Sequence, residues 1–208
     1  MELLVSKDPL GAEIKGLELS RPLGPEEFGR LEEALVENKV LFFREQNISS
    51  ADHHRFASMF GALQRHPAFA HIDGFPEVTV LASDRENRSK IEKWHSDMTY
   101  LECPPLGTVL RGRVIPDKGG DTLFSNAYLA YESLSDGMKE MLADLRTVNI
   151  YNMKKQRAAA MQVDDIDEQP AEVEHPLIRT HAETGGKALY LSYEGITRRI
   201  AGMTDAES

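Results

Sequence analysis

The spacing of apolar residues changes its period along the chain, and each change predicts an element. After Pro25, residues Phe28, Leu31 and Leu35 recur at helical intervals. Pro25 suits a first helical turn, and Glu26 and Glu27 face the positive end of that helix. Val40-Leu41-Phe42-Phe43 is wholly apolar and predicts a short buried strand. Ser49 or Ser50 can cap a second helix, with Phe56, Met59 and Phe60 on one face and Gly61 just past its end. Residues 1–24, interrupted by Pro9, Gly11 and Gly16, read as a short strand and a turn.

Further along, strands are predicted at residues 77–83, 108–115, 122–124 and 145–151. Residues 177–180 and 188–192, joined by Thr184-Gly185-Gly186, read as a hairpin. Asn126 and Ser135 are placed to cap two short helices. Residues 84–90 form a polar loop, and residues 154–173 are polar with few large apolar side chains, the pattern of a mobile loop or lid. The sum is a β-rich α+β chain whose many short strands suggest a sandwich or barrel. The pattern does not resemble alternating βαβ units, and the sequence has no glycine-rich phosphate loop.

Composition narrows the function. The chain has 208 residues, 34 acidic against 24 basic, and a net charge of −10. That balance argues against a nucleic-acid partner. No apolar run approaches the roughly 20 residues of a membrane span, and the first residues lack the pattern of a secretory signal. The lone Cys103 excludes an intrachain disulfide and a multi-cysteine zinc site. A reduced, cytoplasmic protein is expected, with a homo-oligomer compatible with all of this.

The sharpest chemical signal is Trp94-His95-Ser96-Asp97. On an extended strand His95 and Asp97 would project from one face. An imidazole and a carboxylate there can fill two corners of a metal octahedron, and a further histidine would complete the two-His-one-carboxylate triad of non-haem iron oxygenases. By itself the His-x-Asp signal is weak, since such pairs occur often by chance, and the plain reading is a surface histidine beside a solvated carboxylate. Zinc held by His95, Asp97 and a histidine such as His66 is a third reading.

The stretch WHSDMTYLECPPLGTVLRGRVIPDKGGDTLFSNAYLAYESL resembles the TauD/TfdA family of Fe(II)/2-oxoglutarate-dependent dioxygenases. So do Leu19-Ser20-Arg21-Pro22-Leu23, Phe60-Gly61-Ala62-Leu63 with His66-Pro67, and HPLIRTHAETGGKALYL, in the family's order. The resemblance implies a double-stranded β-helix (a cupin-like jelly roll) with flanking helices. It implies that His95 and Asp97 are iron ligands and that Thr122 helps hold 2-oxoglutarate. It places His66, Phe69, Ile91 and Tyr190 beside the substrate, with Trp94 packed behind the metal strand, while His175 and His181 read as structural. The implied reaction uses O2 to hydroxylate a small organic anion and releases succinate and CO2. A catalytically silent binding module is the alternative.

Two departures from the family pattern matter. Ile91 and Phe69 stand where taurine-using members carry an asparagine and a tyrosine, so an apolar pocket is expected, suited to a sulfonate, alkyl sulfate or aryloxy or alkyl carboxylate with a hydrophobic body. The family's third ligand, a histidine, and its 2-oxoglutarate arginine are expected beyond Ser208. Thr204-x-x-Glu207 has the spacing of a capping box that opens a helix. Residues 1–208 therefore read as a single incomplete dioxygenase domain lacking its C-terminal strands.

Overall fold

The computed structural model describes residues 1–66, 69–84, 86, 93–151 and 171–208. These divide into two compact units.

The first unit comprises residues 1–66, 70–80 and 106–126. Strand β1 (Glu2–Val5) pairs antiparallel with β2 (Ala12–Lys15), and β2 pairs parallel with β3 (Leu41–Phe43). A parallel pair requires a long crossover, and helix α1 (Pro25–Asn38) supplies it. The Glu27 carboxylate accepts from the Gly24 N–H at its start (3.1 Å). Lys39, in the left-handed region at φ 66°, ends it and donates its N–H to the Leu35 carbonyl. Helix α2 (Ser50–Ser58) opens on a reciprocal cap: Asp52 N–H donates to Ser49 Oγ (3.1 Å) and Ser49 N–H to Asp52 Oδ2 (2.8 Å). Both helices turn apolar faces to one cluster of Ile14, Leu17, Leu19, Leu31, Ile48 and Phe56. Strands β4 (His71–Ile72) and β5 (Phe75–Thr79) form a hairpin around Gly74, whose φ of +81° suits glycine. The strand expected at 77–83 thus begins earlier and ends at Thr79.

The strands expected at 108–115 and 122–124 do not form. Their β-branched residues favour extended backbone, but a strand also needs a neighbour to complete its ladder. The Val109 carbonyl is held by His53 Nε2 (2.9 Å), and Val109 packs on the apolar cluster. Leu106, Leu110, Val114, Ile115, Leu123 and Phe124 remain exposed.

The second unit comprises, among the described residues, 69, 81–105 and 127–208. Helices α3 (Ala127–Glu132) and α4 (Asp136–Leu142) come first, and Ser135 caps α4 by accepting from Met138 N–H (3.3 Å). Strand β6 (Arg146–Ile150) is the centre of an antiparallel sheet, with β7 (Glu172–Pro176) on one edge and β10 (Thr197–Ile200) on the other. Strands β8 (Ile178–Thr180) and β9 (Lys187–Leu189) make the expected hairpin. Tyr131, Leu177 and Ile178 form one small core, and Tyr151 and Ile196 another. Of the expected lid, residues 154–170 lie outside the described residues, and Glu172 and Val173 begin β7. Among the described residues no helix is long and apolar enough to cross a membrane.

Candidate metal centre

His95 and Asp97 do not sit on a strand. Residues 94–96 are irregular, and 97–100 turn sharply, with Met98 at φ 52°. The two side chains nevertheless converge: His95 Nε2 lies 3.1 Å from Asp97 Oδ1. Trp94 is 62% exposed and does not pack behind the ligands as expected, because no strand forms there to present its other face to a core.

The tautomer of His95 follows from its other nitrogen. The Lys93 carbonyl can only accept, so at 2.7 Å the proton lies on His95 Nδ1. In the neutral ring Nε2 then carries a lone pair, which faces a carboxylate oxygen. Two lone pairs at this separation repel unless a positive charge joins them, either a proton on Nε2 or a cation ligated by both atoms. A ligand histidine with its second nitrogen bonded to a carbonyl is a common arrangement in metal sites. The donor set of one imidazole nitrogen and one carboxylate oxygen suits Fe(II). Among the described residues no group of three His, Cys, Asp or Glu side chains converges.

Polar groups crowd behind the turn. Tyr100 stacks on Tyr151 with centroids 4.3 Å apart, and its hydroxyl is buried without a hydrogen-bond partner among the described residues. Burial pushes that hydroxyl well above its usual range, and the neighbouring Tyr151 and Asp97 charges push the same way. Thr99 Oγ1 is likewise buried and unbonded. His175, on β7, places Nε2 2.9 Å from the Leu101 carbonyl and its ring edge-on to Tyr190. Arg179 lies over the Tyr190 ring at 4.7 Å. Burial raises the Tyr190 hydroxyl, and Arg179 partly offsets that.

The remaining expected positions are distributed. Phe69 is half-buried in the second unit, as is Tyr190. His66 is half-buried and Thr122 exposed in the first unit. Ile91 lies outside the described residues. At Thr204 the expected cap forms in part: Glu207 Oε2 accepts from the Thr204 N–H and hydroxyl, both at 2.9 Å. Those bonds hold the Glu207 carboxyl below its usual range. Sequence reasoning missed Asn149, Thr197 and the anchoring role of His175. The available signal was Asn149 itself, a polar side chain between the apolar Val148 and Ile150 of a predicted strand.

Comparison with known proteins shows the family. The family model described as taurine catabolism dioxygenase TauD, TfdA family matches residues 4–208, and the chain belongs to that family. It is 33% identical to the alkylsulfatase of Acinetobacter baylyi over 96% of this chain and 64% of that protein. It is 32% identical to the alpha-ketoglutarate-dependent sulfate ester dioxygenase of Pseudomonas putida, over 96% of this chain and 68% of that one. Among solved structures, a taurine dioxygenase from Burkholderia xenovorans superposes with a TM-score of 0.81 at 35% identity, over all of this chain and 68% of that one. A second neighbour, AAD-2 in complex with Mn(II) and N-oxalylglycine, has a TM-score of 0.70 at 26% identity, covering 99% of this chain and 74% of that one. The chain thus spans less than two thirds of the alkylsulfatase it matches.

Proposed function

We propose that the protein is an Fe(II)- and 2-oxoglutarate-dependent dioxygenase that hydroxylates a small organic anion. The observation that carries this reading is the His95–Asp97 pair, tautomer-locked and 3.1 Å apart, in a chain of the TauD/TfdA family. His95 Nε2 and Asp97 would hold the iron, with a histidine beyond Ser208 as third ligand on a completed double-stranded β-helix. The exposed apolar row from Leu106 to Phe124 supports that completion, because further strands would bury it. When bound, iron and 2-oxoglutarate supply the oxidising power for attack on an unactivated C–H bond, with succinate and CO2 as co-products.

This chain's residues do the positioning. The Lys93 carbonyl keeps the His95 proton on Nδ1, so Nε2 stays available as a donor atom. Thr122 would bond the distal carboxylate of 2-oxoglutarate. His66 would meet the substrate anion, with Phe69, Ile91 and Tyr190 around its body. Phe69 and Ile91 offer no hydrogen bond, which favours an alkyl sulfate or apolar sulfonate over taurine. The names of the sulfate-ester relatives point the same way. The lone Cys103 fits a reduced, cytoplasmic setting.

The test is succinate release by the purified protein with Fe(II), 2-oxoglutarate and O2, comparing a medium-chain alkyl sulfate, an aryloxy acid and taurine. Alkyl-sulfate-dependent succinate lost in His95→Ala is expected. Turnover fastest with taurine would overturn the substrate reading, and no dependence on 2-oxoglutarate would overturn the activity.

A further inference from the structure

One peptide group links the ligand segment to the sheet. The carbonyl of Leu191 accepts from the N–H of Ser96, the residue between His95 and Asp97 (3.1 Å). The N–H of the same peptide, that of Ser192, donates to Thr197 Oγ1 (2.9 Å). Because a peptide is planar and trans, its carbonyl and N–H point in opposite directions. Fixing the N–H side fixes the aim of the carbonyl.

Thr197 Oγ1 is itself fixed. Its hydroxyl proton goes to Asn149 Oδ1 (2.8 Å), so its lone pair is left for Ser192. Asn149 is fully buried, and its amide nitrogen donates to Thr147 Oγ1 (3.1 Å) and the Thr147 carbonyl (3.2 Å), with the Val173 carbonyl at 3.5 Å. Every polar atom of the Asn149 side chain is therefore engaged, and its rotamer is set by the centre of the sheet. The far side of the ligand turn has its own anchor, the His175 bond to the Leu101 carbonyl. Thr147 Oγ1 lies 3.4 Å from the His175 carbonyl, so the same network reaches both anchors.

Resting on the metal-site reading above, we infer that Asn149 and Thr197 are positioning residues for the iron ligands, acting through the Leu191–Ser192 peptide. The irregular ligand segment has no ladder of its own, so its Ser96 N–H needs this external acceptor. Loss of the Thr197 hydroxyl frees the peptide plane to rotate and lets His95 and Asp97 drift apart. Partners of this kind set ligand orientation, and their removal costs about 10- to 100-fold in metal affinity.

The test compares Thr197→Val with Thr197→Ser. Two readouts are used: Zn(II) affinity, taken as the part lost in His95→Ala, and amide hydrogen exchange at Ser96 by NMR. Thr197→Val is expected to weaken Zn(II) binding about tenfold and to speed Ser96 exchange beyond that of the β6 amides. Thr197→Ser keeps the hydroxyl and should restore both. Unchanged affinity and Ser96 exchange in folded Thr197→Val would overturn the inference. So would uniformly faster exchange across the sheet, which marks a merely structural role. If Thr197→Val does not fold, the unsubstituted chain decides by reciprocity: Zn(II) should slow exchange at Ser192 as well as Ser96, and protection of Ser96 alone overturns the coupling. If the unsubstituted chain shows no His95-dependent Zn(II) binding, the metal-site reading for residues 1–208 alone fails, and Ser96 exchange in the two variants still decides the positioning.

Discussion

The two units are held together by different means. In the first, helices α1 and α2 and strand β2 close on an apolar cluster in which Leu31 has no exposure, and polar bonds sit at the helix ends. In the second, the centre of the sheet is polar: Thr147 and Asn149 flank Val148 in β6, and all three are buried. Apolar packing is non-directional and tolerates small shifts. A buried hydrogen-bond network tolerates none without leaving a group unpaired, so it specifies orientation as well as stability. The ligand-bearing segment is attached to the second kind of interior.

That contrast can be broken most forcefully at its apolar end. Leu31→Ala should lower stability by about 2–5 kcal/mol through lost burial and a cavity, read from the urea midpoint at constant slope. Next comes Asn149→Leu, which removes the network's hub while keeping the volume. It should cost about 1–3 kcal/mol because Thr197 and Thr147 lose their partner. Equal global destabilisation with no change in Ser96 exchange would erase the distinction between the two interiors.

Smaller again is Ser49→Ala, expected to remove about 1 kcal/mol by deleting the α2 cap, seen as a lower thermal midpoint. The mildest perturbation is acid. The bonds from Ser49 and Arg55 lower the Asp52 carboxyl from 3.8 to about 2. The Arg21 side chain and the Gly24 N–H lower Glu27 from 4.5 to about 2. Both groups are ionised more readily in the folded state, so their contribution is present above their usual values and is lost as pH falls through about 2. A thermal midpoint that declines between these limits in the unsubstituted chain, and less so in Asp52→Asn, is the expected outcome.

Much of the first unit was legible because its signals are local. Pro25 and Ser49 mark helix starts within a residue, and the period of Phe28, Leu31 and Leu35 gives the buried face of α1. The hairpin at Gly185 and strand β6 were legible for the same reason. The His95–Asp97 pair was legible as chemistry, but the local backbone was not: proximity arises in a turn rather than on a strand face. Residues 108–115 carry the composition of a strand, yet pairing is decided by a distant neighbour that composition does not encode. The Asn149 network was invisible for the same reason, since its bonds join residues up to 48 positions apart in the chain.

Strand β6 has a consequence for the order of synthesis. Its two sheet partners, β7 and β10, begin at Glu172 and Thr197, well after β6 itself leaves the ribosome. The residues that build the first apolar cluster from Ile14 to Phe56 emerge early and can condense at once. Between the appearance of Ile150 and that of Glu172, then, β6 has neither sheet partner, and Val148 and Asn149 are uncovered. A nascent chain in which β6 has emerged from the ribosome and β7 has not would be the form most in need of a chaperone.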